Sequence, residues 1–492
     1  MKRSDMKKSL SLLITPRDLA ALTARIAGTV ISTRRVTTAK AIVGMMANTA
    51  AAGAAAVLML VAAAPSFAQQ PRAVAACANA NGRYSVDLAI KGCTLIIEAG
   101  REPPKSLAVA RNNRGFAYAE KGDFDHAIAD YTEAIRLDPA LALPYANRGL
   151  IYADKGDIRG AVLDFAEAIR IDPKFALAYA ARGNLYFENK DYERAVTDYS
   201  DAIKLDPRLA IAYHNRGLAF RADGSLDRAI ADFSEAIRLD PEYRDAYQSR
   251  GLAYVSKGDL DKAIADYGEA IRIDPKFVNA FGSRGSLYEL KRDYTAALAD
   301  LDKAIALKSD DAGSRNLRGH VRYAMGDLDH AIADFSEAIR LDPMLAAAWM
   351  NRGLAYEGKG EYARAVPDFD QTARLTPGDI NAWNSRCWAR AVAGVQLQQA
   401  VADCNEALKL SPDNADAIDS RGFVHLKLGD FDNAIEDYDA ALQINPQLAS
   451  SLYGRGIAKG RKGDPDGAKA DIAAARALRG SIADEFALYG IK

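Results

Sequence analysis

Residues 142–173 read ALPYANRGLIYADKGDIRGAVLDFAEAIRIDP, and this stretch returns with edits every 34 residues. The glycine of its Arg-Gly pair recurs as Gly115, Gly149, Gly183, Gly217, Gly251, Gly285, Gly319 and Gly353. After one unit of 35 residues it resumes as Gly422 and Gly456. A fixed period of this size predicts a solenoid, in which each unit buries its apolar face only against its neighbours. With Ala142 as column 1, large apolar residues fall at columns 4, 11 and 24 (Tyr145, Tyr152, Phe165) and small ones at 8, 20 and 27 (Gly149, Ala161, Ala168). Small residues let two helix axes approach, and the larger ones fill the space between ridges. Gly156-Asp157 supplies a left-handed stop and then an acidic start, so the unit reads as two helices of about 14 residues. Asp172-Pro173 closes it, because proline lacks a donor and pushes the residue before it out of helical geometry.

This spacing resembles the tetratricopeptide repeat (TPR), whose pattern is an aromatic at 4, Gly at 8, Tyr at 11, Ala at 20, an aromatic at 24, Ala at 27 and Pro at 32. The resemblance covers eleven consecutive units, roughly 108–480. It implies an all-α solenoid, a right-handed superhelix of antiparallel helix pairs whose first helices line a concave groove for a protein or peptide ligand. The groove columns are 2, 5, 6, 9, 12 and 13. Candidate binding residues there are Asn113, Asn147, Asn215 and Asn351 at column 6, with Phe187, His214, His320, Tyr323 and Trp388. Column 9, mostly Leu, Phe or Trp, has a second reading as a wedge between adjacent first helices. The chaperone-binding branch of the family carries lysine at column 5; this chain never does, so capture of a chaperone tail is not implied. Unit eleven, with Lys459, Ile472 and Gly480 at the columns for Tyr, aromatic and Pro, is the weakest match, and any specificity is expected in the irregular units six to nine.

One departure runs through the array. Column 7 is arginine in all eleven units, from Arg114 to Arg455, and column 23 is aspartate in all eleven, from Asp130 to Asp471. Matched charges on facing helices predict a ladder of Arg-Asp pairs, with an arginine-lined anion groove as the other reading.

The first 68 residues lack the repeat. They hold 9 Lys and Arg against 2 Asp and Glu, leaving 55 basic and 63 acidic residues beyond them, a net charge of −8. Such a chain is a poor partner for nucleic acid. Basic residues ending at Lys40 precede an apolar run, 41–64, with Ser66 and Ala68 at the −3 and −1 positions of a cleavage site before Gln69. The segment reads as an export signal, placing the mature protein in the periplasm. An uncleaved inner-membrane anchor is the alternative, since the apolar run could span a bilayer. A twin-arginine signal is a further option, as Arg34-Arg35 is present. The expected organisation is a signal over 1–68, a helical hairpin over 69–107, the array over 108–480 and a capping helix over 481–492.

Cys77 and Cys93 lie 16 apart, which is the distance from column 8 to column 24. Cys387 and Cys404 occupy those same columns of unit nine, 17 apart because its turn holds one extra residue. In an exported chain these are read as two local disulfides, with free buried thiols as the alternative. No nucleophile or acid–base set is visible: His126, His214, His320, His330 and His425 lie in different units, and no metal, phosphate or nucleotide motif accompanies them. The sequence therefore reads as a non-catalytic adaptor without a cofactor, the alternative being a membrane-tethered assembly factor.

Overall fold

The computed structural model describes residues 70–79 and 84–491. The export segment and its cleavage pair, Ala68 and Gln69, lie outside the described residues. Among the described residues there are 25 helices and no strand. They form two bodies, one ending at Ala280 and the other beginning at Phe281, inside the helix Val278–Leu290.

Unit two shows how the sequence builds a helix pair. Its first helix, Ala142–Asp154, stops at Lys155 and Gly156, whose φ of 82° is a conformation open to glycine at little cost. The Asp157 side chain then accepts the Gly160 N–H and starts the second helix, Ile158–Ile171. Units three and six have Lys190 and Arg292 at the glycine column and keep the same backbone, each at φ 62°, against a steric cost of roughly 1–2 kcal/mol. In unit nine the extra residue is absorbed by Gln396 at φ 52°, directly before the helix Leu397–Leu410.

Between the helices of a unit, the column-20 and column-27 alanines are fully buried, as in Ala161 and Ala168, around the column-24 ring of Phe165. That ring explains the glycine at column 8. A Cβ on Gly183 would stand 2.8 Å from the Tyr199 ring, and one on Gly217 2.7 Å from Phe233. Two cysteines can replace the glycine–ring pair together, because a disulfide needs the same close approach. The structure joins Cys387 to Cys404 with their Cα atoms 5.5 Å apart. It also joins Cys77 to Cys93 at 4.6 Å, between the helices Gln70–Ala78 and Val86–Ala99.

The column-7 arginine and column-23 aspartate meet inside every unit. Arg148 donates from Nε and Nη2 to the two oxygens of Asp164, both at 2.8 Å, and the pattern recurs from Arg114–Asp130 to Arg455–Asp471 except in unit nine, where Arg386 holds Asp403 by Nη2 alone and Arg390 takes the other oxygen. Its remaining nitrogen reaches back one unit, to Thr132 Oγ1 at 3.0 Å. Arg216, Arg250 and Arg352 reach Ser200, Ser234 and Ser336 in the same way. Arg114 reaches Thr94, which sets the Cys77–Cys93 hairpin in register with the array. Where column 25 of the unit before offers an oxygen, the guanidinium thus ties the two helices of one unit to the second helix of its predecessor; among the described residues Arg182 and Arg284, behind Ala166 and Gly268, bind only their own aspartates. The arginines are spent on this frame, so the anion-groove reading of the column is corrected.

Where column 11 loses its aromatic, it carries a second cation to the same aspartate: Arg322 to Asp334, Arg390 to Asp403 and Lys459 to Asp471. In those three units the backward contact of the column-7 arginine is also an aspartate, Asp302, Asp370 and Asp439. Two cations therefore meet two carboxylates, and each cluster stays neutral.

The capping segment differs from its expected form. Its helix covers only Ile482–Leu488, and Gly490 at φ 80° terminates it rather than packing as a column-8 glycine.

Candidate protein-binding face

The inner columns of the first helices differ between the two bodies. In the body ending at Ala280 they are tied to one another. Asn147 donates to Asn112 Oδ1 at 3.0 Å, and Asn215 donates to Asn184 Oδ1 at 2.9 Å, an oxygen that also accepts from the Tyr199 hydroxyl. His214 lies 3.0 Å from Ser249 Oγ through one ring nitrogen and 3.2 Å from the Tyr243 hydroxyl through the other. Asn112, Asn147, His214 and Asn215 are all buried. These side chains satisfy each other between units, as buried polar groups must.

In the body beginning at Phe281 the inner columns of units nine to eleven carry rings, joined by Tyr362 from the start of the second helix of unit eight, and a segment of the chain lies on them. Trp388 and Phe423, both at column 9, stand 5.1 Å apart. Tyr489 meets the Trp388 ring edge-on at 5.3 Å and the Tyr362 ring at 6.3 Å. Phe486, buried, packs edge-on against Phe423 at 5.6 Å and against Tyr453 at 4.8 Å. Edge-to-face rings at such spacings add about 0.5–1.5 kcal/mol each beyond their buried area. Past the last helical turn, Lys427 Nζ donates to the Tyr489 carbonyl at 2.6 Å, and the Ile491 N–H returns to the Phe486 carbonyl.

Two carboxyls in this body are strongly perturbed. Burial pushes Glu357, at column 12 of unit eight, up to about 8, and its Oε1 has no hydrogen-bond partner. Burial raises the phenols of Tyr323, Tyr362 and Tyr489, and the charge of Glu357 adds to each. Burial also pushes Asp419 up to about 6, opposed by a hydrogen bond from Ser451. Lys427 is shifted down by burial. The face thus offers aromatic walls, one half-buried donor cation and one carboxyl with an open acceptor.

Family models described as TPR repeat match residues 115–156, 149–190, 183–224, 217–257, 251–291 and 422–463, and models described as tetratricopeptide repeat match 278–311 and 316–380. The chain is a tetratricopeptide repeat protein. It is an all-α TPR solenoid of antiparallel helix pairs. Among solved structures it is similar to YrrB, described as a TPR protein with an unusual peptide-binding site, at 27% identity over 37% of this chain and 95% of that one, with a TM-score of 0.33. It is also similar to a tetratricopeptide repeat protein from Parabacteroides merdae (21% identity, 50% and 98% covered, TM-score 0.39) and to yeast Tom70 (16%, 78% and 94%, 0.34). No curated protein matches the chain.

The TPR columns place the residues singled out from sequence in three settings. Asn147, His214 and Asn215 are withdrawn from solvent by their bonds between units, which corrects their reading as groove ligands. Asn351 donates to Asn316 in the same way, and Phe187 packs beside Val196 against Tyr199 and Ala219. Asn113 stays half-buried, and its Nδ2 has no partner. His320 pairs with Glu289 at 3.2 Å. Tyr323 and Trp388 lie in the second body on the face that also holds Glu357 and Phe423. Sequence reasoning missed Glu357, Tyr362, Phe423, Lys427 and Tyr489. Glu357, Phe423 and Lys427 occupy groove columns 12, 9 and 13, so their signal was present, whereas Tyr489 was hidden by reading its segment as one more stacked half-unit. Among the described residues no group of His, Cys, Asp and Glu is placed to hold a metal ion, and no helix is long and apolar enough to cross a membrane.

Proposed function

We propose that this TPR protein is a non-catalytic protein-interaction scaffold of the cell envelope, which binds protein segments on the inner face of units seven to ten. The observation that carries the reading is the ring cluster of Trp388, Phe423 and Tyr362, which already grips a length of polypeptide by two aromatic side chains and one backbone carbonyl. Family membership supports a protein ligand, since TPR proteins bind protein or peptide partners. The open acceptor of Glu357 gives that ligand a place for a hydrogen-bond donor. Export to the periplasm is supported by the 41–68 segment and by two disulfides, which persist in oxidising compartments. A membrane-tethered assembly factor is the second reading, favoured by the length of the apolar run 41–64.

Photocrosslinking in the native cell tests the face. With p-benzoylphenylalanine in place of Tyr323, one protein should be captured, and capture should be lost in the Trp388→Ala background. The same probe in place of Met344, which is 72% exposed in a turn, should capture nothing comparable. Equal capture at both positions refutes the face. Intact mass tests the location: a start at Gln69 supports release after export, and a retained N-terminal segment supports the tether.

A further inference from the structure

The segment Ile482–Ile491 does more than cover the last repeat. Ile482 and Phe486 are buried at the end of the array, but Tyr489 and Ile491 run on into the inner face. There Tyr489 bridges Tyr362 of unit eight, Trp388 of unit nine and Phe423 of unit ten. Covering the terminal unit requires none of these contacts, because those rings lie one to three units back. The recognition is that of a short helix and its C-terminal cap with aromatic residues at i and i+3, the second of which also gives its carbonyl to Lys427. Leu488, between the two anchors in sequence, is 79% exposed, so the segment is held by one stripe only.

We propose that residues 486–491 are an internal ligand that occupies the partner site of units eight to ten, and that a partner helix with an aromatic pair three residues apart displaces it. This rests on the reading of that face as a protein-binding site. A tethered segment has an effective concentration in the millimolar range, so a partner must either bind much more tightly or meet a protein whose tail has been drawn off. The arrangement keeps the rings from water in the free protein and sets a threshold for binding.

A fluorescein-labelled synthetic peptide of residues 481–492, followed by fluorescence anisotropy, tests the proposal. A variant ending at Ser481 loses both anchors, Phe486 and Tyr489. It should bind the peptide at least tenfold more tightly than the full chain does, and adding Trp388→Ala should abolish the gain. Should that variant fold poorly by circular dichroism, the full-length variant carrying both Phe486→Ala and Tyr489→Ala makes the same comparison with the segment retained. Equal affinity in the opened and full-length proteins, or no binding by the opened one, overturns the internal-ligand proposal. Either result leaves crosslinking at Tyr323 untouched, so a failure of the tail and a failure of the face are told apart.

Discussion

In units one, two, four and five, rings at column 11 lie over the column-7 arginines, as Tyr152 does with Arg148 and Phe220 with Arg216, at 5.7 and 5.8 Å. In units seven, nine and eleven that column holds Arg322, Arg390 and Lys459 instead, and each binds the aspartate that the column-7 arginine already holds. The inner faces diverge in parallel. The first body closes its inner columns with polar bonds between units, whereas the second does so from Asn351 to Asn316 and then, in units nine to eleven, fills them with rings and with its own chain. The difference teaches that the Arg–Asp fork is the constant part of this solenoid. Because the arginine and aspartate join the two helices of every unit, the ring column and the inner columns are free to change chemistry. The aspartates added at column 25, Asp302, Asp370 and Asp439, show how the change is tolerated: each extra cation is met by an extra carboxylate.

The sharpest way to break this comparison is to remove the fork once in each body. Arg216→Ala leaves Asp232 buried with its hydrogen-bonding partner gone, a defect that costs about 3–5 kcal/mol. Arg386→Ala leaves Asp403 still bonded to Arg390, so about half that loss is expected. Burial raises Asp403, and both Arg386 and Arg390 oppose that shift, so one of the two opposing cations remains in the variant. Urea unfolding, with hydrogen exchange of the affected helices to localise the loss, measures both. Equal costs would mean that the second cation adds nothing and that the two bodies are electrostatically alike.

Much of the frame was legible in the sequence because it is written eleven times. A periodic column needs no long-range information: Gly149, Ala161 and Phe165 each recur at fixed distance, and Arg148 and Asp164 betray their pairing by never varying. The site was less legible for two physical reasons. Column 6 asparagines look alike from unit to unit, yet whether one faces a ligand or a neighbour depends on its partner 31 or 35 residues back, as with Asn184 for Asn215 and Asn112 for Asn147. The segment after Gly480 satisfies the column pattern with Phe486 and Gly490, but seven helical residues are too few to stack as a unit, and Gly490 turns the chain toward Lys427 instead. Periodicity predicts what repeats, and the inner face of units eight to eleven is the part that does not.

Glu357 gives a smaller effect and separates the two bodies by pH. Its carboxyl has an ordinary value of 4.5 and is pushed by burial up to about 8 in the folded protein. Between those values the folded state holds a proton that the unfolded state has released, so stability falls as pH rises through that window and is flat outside it. At about 1.4 kcal/mol per unit, the loss at pH 7 relative to pH 4 is on the order of 3 kcal/mol. Asp419, raised from 3.8 to about 6, contributes with the same sign but is exhausted by pH 6, so the slope between pH 6 and 8 belongs to Glu357. Glu357→Gln should abolish that slope and raise the melting temperature of its body at pH 8 while leaving it nearly unchanged at pH 4. Thermal unfolding across this range, read by the exchange of helices beyond Phe281, measures the effect. A slope that survives the substitution would show that the carboxyl is solvated rather than sealed among Tyr323, Tyr362 and Tyr489, and the inner face would then lack the open acceptor on which its ligand chemistry depends.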